Sequence, residues 1–103
     1  MTKIFISQPM QNKTNEEIEK ERKEIIEKCE NYFGKIEVID SFFKDAPHDA
    51  KPLWFLGKSL ELLSSADVVV FGKYWELARG CKIEHECAIQ YGIKIAYLEN
   101  LQK

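Results

Sequence analysis

The sequence predicts an α/β fold in which parallel strands alternate with helices. Short apolar runs bounded by turn residues, which are typical of buried strands, alternate with longer amphipathic segments, which are typical of helices. The order βαβαβαβ implies right-handed crossovers, with helices on both faces of the sheet. We expect the strand order 2-1-3-4, as in a small flavodoxin-like domain of three layers. A length of 103 residues fits a single domain over residues 1–103.

The first half of the chain contains two predicted strands around one long helix. The first strand covers residues 3–7 and the second covers residues 35–39. The helix between them begins after Thr14, which forms a capping box with Glu17, and Gly34 ends it. Its inward side is formed by Ile18, Ile25, Ile26, Cys29, Tyr32 and Phe33.

The second half continues the alternation. A polar loop over residues 40–52 is long for so small a domain, so we expect it to be functional. In a 2-1-3-4 sheet the switch point lies between the first and third strands, so the loops 7–13 and 71–80 should face each other. The other predicted elements are helices over residues 53–64 and from about Gly80 to Tyr91, and strands over residues 67–71 and 93–98.

Composition and charge exclude several classes of function. Hydrophobic residues at 45% and charged residues at 31% are ordinary for a folded protein. A net charge of −2 does not favour binding to a nucleic-acid polymer. The apolar N-terminal run is too short for a signal peptide, and no run approaches the length of a membrane span. Three cysteines without CxxC spacing predict reduced thiols in the cytosol.

Glu84 lies where a helix would normally bury an apolar side chain. If the helix begins near Gly80, Glu84 is part of its inward side and stands at the carboxyl edge of the sheet, where open α/β proteins bind ligands. A partly desolvated, ionised carboxylate suits a nucleophile toward a sugar carbon. The alternative is a glutamate that extends into solvent and pairs with Lys82 or Arg79. The expected inward side is completed by Ile83, Cys87, Ala88 and Tyr91.

Three other segments have features of ligand-binding sites. Residues 8–14 end in Lys-Thr before a helix but lack both glycines of a triphosphate loop, so at most a monophosphate would bind to Lys13 and the helix amides. Arg79 and Gly80, at a helix start, favour an anion, although a plain surface arginine is an equal alternative. Trp75 suits stacking on a planar base, and packing over the core is as common for such a residue.

Cysteine and histidine in the third helix could suggest a metal. Cys81 and His85 share a helix face, but Cys87 points elsewhere and no fourth ligand is apparent. We therefore expect no metal and no cofactor. Cys81 is predicted to be a structural thiol, and His85 to be solvated or to cap the helix.

Three segments form a pattern over nearly the whole chain. They are residues 4–10 (IFISQPM), residues 65–70 (SADVVV) and the pattern Gly80-x-x-x-Glu84-x-x-x-Ala88. This pattern resembles the nucleoside 2-deoxyribosyltransferase superfamily, which also includes the nucleoside 5′-monophosphate N-glycosidases. The chain is most similar to a branch of short, often phage-encoded domains that carry the FISQPM start and an ARGC…E segment.

The resemblance implies that Glu84 is a nucleophile. It would attack C1′ of a nucleoside or nucleotide, release the base and form a glycosyl-enzyme ester, as in retaining glycoside hydrolysis. Ser59 occupies the position of a transferase Asp that handles the base. The sugar would be held by the loop after the first strand, which consists of Ser7, Gln8, Pro9 and Met10. Trp75, Arg79 and Gly80 complete the expected substrate-binding set.

Two acids of the transferases have no counterpart in this chain. Ser59 and Ala78 stand at their positions, so protonation of the departing base lacks an obvious donor, and such catalysis is typically worth about 10²–10⁴-fold. The alternatives by residue type are Glu76, Glu86, His48 and Asp49. The chain also ends soon after the fourth strand, without the part that completes a neighbour's site in larger relatives. We therefore expect hydrolysis, or binding without turnover, rather than base transfer.

These observations predict a cytoplasmic N-glycosidase, in a bacterial cell or a phage-infected host, that acts on a small nucleoside or nucleotide through Glu84. A different hypothesis is a non-catalytic module that sequesters or senses a nucleotide, with Glu84 holding ribose hydroxyls. A weaker hypothesis is an accessory protein without a ligand. We expect a homodimer or larger homo-oligomer, because so thin a domain exposes apolar helix surface such as Leu53, Trp54 and Phe55.

Overall fold

The computed structural model describes residues 1–43 and 45–101. It contains one sheet of four parallel strands in the order 2-1-3-4. The predicted flavodoxin-like α/β fold is therefore confirmed. The strands are β1 (Thr2–Ser7), β2 (Ile36–Val38), β3 (Val68–Phe71) and β4 (Lys94–Tyr97). The helices are α1 (Asn15–Phe33), α2 (Pro52–Leu63) and α3 (Arg79–Gln90), with short 3₁₀ turns at Trp75–Leu77 and Leu98–Asn100.

The two faces of the sheet carry separate hydrophobic clusters, because successive side chains of a strand point to opposite faces. Ile4 and Ile6 pack with Ile25 and Cys29 of α1 on one face. Phe5 lies on the other face. There it packs with Leu63 of α2, Ala88 of α3 and the alternate residues Val69 and Phe71 of β3. The expected three layers, with helices on both sides, follow from this division.

The ends of α1 are as predicted, but part of its inward side is not. Glu17 N donates to Thr14 Oγ1 at 3.1 Å, and Thr14 N donates back to Glu17 Oε1 at 2.9 Å, which completes the capping box. Gly34 ends the helix with a φ of 84°, a conformation that favours glycine. Tyr32, expected to face inward, is 45% exposed. The buried side of the helix instead includes Arg22.

The inward side of α3 also differs from the prediction. Cys81, Glu84 and Ala88 are its buried residues, at i, i+3 and i+7. Tyr91 is 82% exposed, because the helix ends at Gln90 and the chain turns away there. Glu84 is thus central to the buried side of α3.

The loops that follow β1 and β3 lie side by side, as the switch point requires. Gly72 N donates to Ser7 O at 2.8 Å. A Cβ at Gly72 would lie 3.4 Å from Gln8 Cβ, an ordinary contact distance, so the two loops pack against each other. Over residues 1–43 and 45–101, no helix has both the length and the apolar character needed to cross a membrane.

Candidate active site

A cavity of about 1090 Å³ opens at the carboxyl ends of β1 and β3. Its walls come from the end of β1 and the loop after it, the start of α1, the loop after β2, the helix α2 and the start of α3. A cavity of this size accommodates a nucleotide. Its place at the switch point is where open parallel sheets bind ligands.

Glu84 lies in the wall of this cavity with only 8% of its surface exposed. Ser7 Oγ donates to Glu84 Oε1 at 2.5 Å, in the range of charge-assisted hydrogen bonds. Ser59 of α2 also donates a hydrogen bond to the carboxylate. The carboxylate is therefore fixed by side chains from two other elements, and the solvent-exposed alternative, paired with Lys82 or Arg79, is wrong.

The environment of Glu84 has opposing effects on its pKa. Burial raises the pKa, because a charged carboxylate is less well solvated inside the protein. The hydrogen bonds from Ser7 and Ser59 favour the charged form and lower the pKa, and the net shift is upward. The site thus holds a carboxylate that is desolvated, oriented and more basic than a glutamate in water, three properties that favour a nucleophile.

Cys81 lines the same cavity next to Ser7. Burial is the main cause that raises the pKa of its thiol to about 11, and the neighbouring Glu84 charge adds to the rise. A thiol with this pKa remains protonated at neutral pH, so it is neither a strong nucleophile nor a ready metal ligand. No group of three or more metal-binding side chains occurs among the residues that the structure describes.

Trp75 does not belong to the described lining of the cavity. Its ring stacks on His85 at a centroid distance of 4.2 Å and lies 5.8 Å from Tyr97 and 5.1 Å from Phe71. These contacts correspond to the packing alternative rather than to a stacking surface for a base. His85 Nε2 also lies 2.8 Å from Tyr97 Oη, so the prediction of a solvated or capping histidine is wrong.

The other predicted site residues all line the cavity. They are Glu84, Ser7, Gln8, Pro9, Met10, Ser59, Arg79 and Gly80. Both ends of the Gln8 side chain are engaged within the protein: its Nε2 donates to Ile18 O at 3.3 Å and its Oε1 accepts from Arg22 at 3.1 Å. The side chain of Gln8 therefore fixes the shape of the loop.

Arg22 is a component of the site that the sequence analysis missed. It is 8% exposed, and its Nη2 donates to Ile39 O and Ser41 Oγ, both at 3.1 Å, in addition to the bond to Gln8. One guanidinium thus joins α1 to the loops after β1 and β2, which form two walls of the cavity. Burial lowers the pKa of Arg22, and the charge of Asp40 acts against this. The sequence does contain a signal for this role: Arg22 has the helical spacing of Ile18, Ile25 and Cys29, so it lies on the inward side of α1.

Among the residues that the structure describes, the charged lining of the cavity consists of one acid and several bases. Lys13, Lys51 and Arg79 accompany Glu84 in the part of the lining that the structure describes. Lys13 Nζ also forms an ion pair with Glu21 at 2.8 Å. The residues considered as alternative proton donors lie outside this lining; they are Glu76, Glu86, His48 and Asp49.

Comparison with known proteins does not assign a family or a function to this site. No protein-family model matches the chain, and neither a curated protein nor a solved structure matches it significantly.

Proposed function

We propose that this protein is an N-glycosidase that cleaves the bond between the base and the sugar of a nucleotide, with Glu84 as the nucleophile. The observation that carries the proposal is the buried Glu84 carboxylate, held by Ser7 and Ser59 in a nucleotide-sized cavity. A carboxylate with this orientation and desolvation matches the nucleophile of a retaining glycosidase. The resemblance of residues 4–10 and 78–84 to the deoxyribosyltransferase superfamily supports the same role.

The reaction proceeds in two displacements. A carboxylate oxygen of Glu84 bonds to C1′ while the bond from C1′ to the base nitrogen breaks, through a transition state with oxocarbenium character. Water then attacks C1′ of the ester, its hydroxyl stays on the sugar, and Glu84 is released as a carboxylate. The base has left with the electron pair of the broken bond, and the remaining proton of the water reaches it through solvent. Ser7 keeps the attacking group in one orientation throughout, which lowers the entropic cost of the first step.

The cations of the lining favour a substrate with a 5′-phosphate. Lys13 belongs to the loop after β1, and Arg79 is the first residue of α3, directly after the loop that follows β3. The two cations therefore flank the switch point from its two sides. A phosphate at this position would interact with both charges and with the N-terminal end of α3. We therefore propose a nucleotide, rather than a free nucleoside, as the preferred substrate.

Trapping the covalent intermediate tests the proposal directly. A 2-fluorinated nucleotide slows the second displacement, so intact-mass analysis should detect one sugar phosphate added to the wild-type chain. Glu84→Gln should show no adduct, whereas Glu86→Gln, which alters an exposed carboxylate of the same helix, should retain it. An adduct that persists in Glu84→Gln, or no adduct with any base or sugar, would refute the mechanism.

A second function has support from the same lining. Glu84 is its one carboxylate within the described residues, and enzymes of this chemistry usually protonate the departing base with a second acid. A module that binds a nucleotide without turnover needs no such acid. Calorimetry with chromatography of the products separates the two functions, because the module binds nucleotides and releases no base after prolonged incubation.

We place the protein in the cytosol of a bacterium or of an infected host. Cys29, Cys81 and Cys87 are free thiols, which suits a reducing compartment.

A further inference from the structure

One face of α2 forms a wall of the cavity. Pro52, Phe55, Leu56 and Ser59 line it at i, i+3, i+4 and i+7, as a stripe on one side of the helix, and Leu53 also borders it. Ser59 contacts Glu84 at one end of this stripe. Lys51, the residue before the helix, lines the cavity at the other end.

The length of this stripe matches a sugar-linked base. Ser59 lies eight positions after Lys51, which corresponds to about 12 Å along a helix. A base bonded to an anomeric carbon beside Glu84 would extend along Phe55 and Leu56, whose apolar surfaces suit a planar ring. The edge of the ring farthest from the sugar would then point toward the flexible ammonium group of Lys51.

Charge determines which bases can leave in this arrangement. When the glycosidic bond breaks, its electron pair stays on the base nitrogen, so the base is either protonated or leaves as an anion. Apart from the nucleophile Glu84, the charged side chains of the described lining are cations. The thiol of Cys81 contacts Ser7 and lies near the Glu84 carboxylate. A positive charge near the distal edge stabilises an anion and opposes a base that must first become cationic.

We propose, resting on the function proposed above, that the substrates carry a base that departs as a weakly basic anion, such as a pyrimidine-2,4-dione, and that Lys51 stabilises the charge on its distal oxygen. The C1′–N bond breaks with its electron pair left on the base, while a Glu84 oxygen bonds to C1′. In the second step water supplies its hydroxyl to C1′, and the remaining proton reaches the base anion through solvent. Amino-substituted bases such as cytosine and adenine, which require protonation, are poor substrates.

Single-turnover cleavage of a matched set of nucleotides tests this inference. The set contains deoxyuridine, 5-fluorodeoxyuridine, deoxycytidine and deoxyadenosine 5′-monophosphates. The fluorinated base is the better anion, so it should leave fastest, uracil should follow, and the two amino bases should be at least about tenfold slower, a difference of about 1.4 kcal/mol in barrier.

Lys51→Met isolates the effect of the cation. It should lower kcat/KM for the uracil nucleotide by about tenfold, since a partly solvated charge is worth less than a buried donor. The loss should be smaller for the fluorinated base, whose anion needs less stabilisation. Lys58→Met is the control, because Lys58 lies on the same helix, pairs with Glu61 at 3.5 Å and is not part of the described lining.

The outcomes separate this inference from the function on which it rests. Equal rates for amino bases and diones, or an equal effect of Lys51→Met and Lys58→Met, would overturn the inference and leave the N-glycosidase function intact. Failure to cleave any member, together with no adduct on Glu84, would overturn both.

Discussion

Ser7→Ala should raise the pKa of Glu84, because it removes the hydrogen bond at 2.5 Å that favours the charged carboxylate. Ser7 is 2% exposed, so we expect little replacement of the lost hydroxyl by solvent. A hydrogen bond to a charged group contributes about 1.5–3 kcal/mol. Since one pKa unit corresponds to about 1.4 kcal/mol, the expected rise is about 1–2 units.

The pH dependence of kcat/KM measures this rise. If Glu84 is the nucleophile proposed above, it must be ionised, so activity falls as the pH drops through the pKa of Glu84 in the free protein. In Ser7→Ala the acidic limb should move about 1–2 pH units toward neutrality. The maximal rate should also fall, since one of the two groups that orient the carboxylate is gone.

Ser65→Ala is the matched control for this experiment. Its hydroxyl donates to Leu62 O at 2.9 Å, outside the cavity, so its removal should leave the acidic limb in place. An unchanged acidic limb in Ser7→Ala, in a variant that unfolds at the same urea concentration as the wild type, would contradict the role assigned to this hydrogen bond.

Three further predictions concern the buried charges and the exposed end of α2. Burial raises the pKa of Glu84 above its ordinary value of 4.5, so its contribution to stability is present below that pH and is lost as the pH rises through the folded pKa. Urea unfolding should therefore show Glu84→Gln gaining stability over the wild type as the pH rises, and a constant difference would contradict this. Arg22→Met should lower the free energy of unfolding by about 2–4 kcal/mol, because buried acceptors lose their donor, whereas exposed Lys23→Met should not. If copies associate through α2, where Leu53 is 75% exposed, Leu53→Asp should reduce the mass measured by light scattering, and a monomeric wild type at micromolar concentration would refute the association.

The fold was predictable because its signals are local and repeated. The run Val68–Phe71 is buried at every residue, as expected for an inner strand covered on both faces, and this apolar run is visible in the sequence. The capping box at Thr14 and the glycine at position 34 mark the ends of α1 in the same way. Strand order followed from the rules for parallel sheets rather than from any single residue.

The site was predictable only where a residue violated a local pattern. Glu84 was recognised because a carboxylate interrupts an apolar stripe of α3. Arg22 also places a charge on the apolar side of its helix, α1. It is harder to recognise, because its neighbours in the sequence are mostly lysines and glutamates. Trp75 was misjudged because its direction depends on a short 3₁₀ turn entered from Tyr74 at a φ of 65°, and hydrophobic periodicity carries no information about such a turn.

The buried charge of Glu84 at this cavity is arranged unlike a structural ion pair. Buried charges that serve only stability are normally paired with an opposite charge. Within residues 1–43 and 45–101, Glu84 is instead held by the hydroxyls of Ser7 and Ser59. Hydroxyl donors orient a carboxylate without neutralising its charge, so Glu84 keeps its electron density for an electrophile in the cavity. An arrangement that leaves this charge uncompensated is unfavourable for folding, and the function proposed above would account for it.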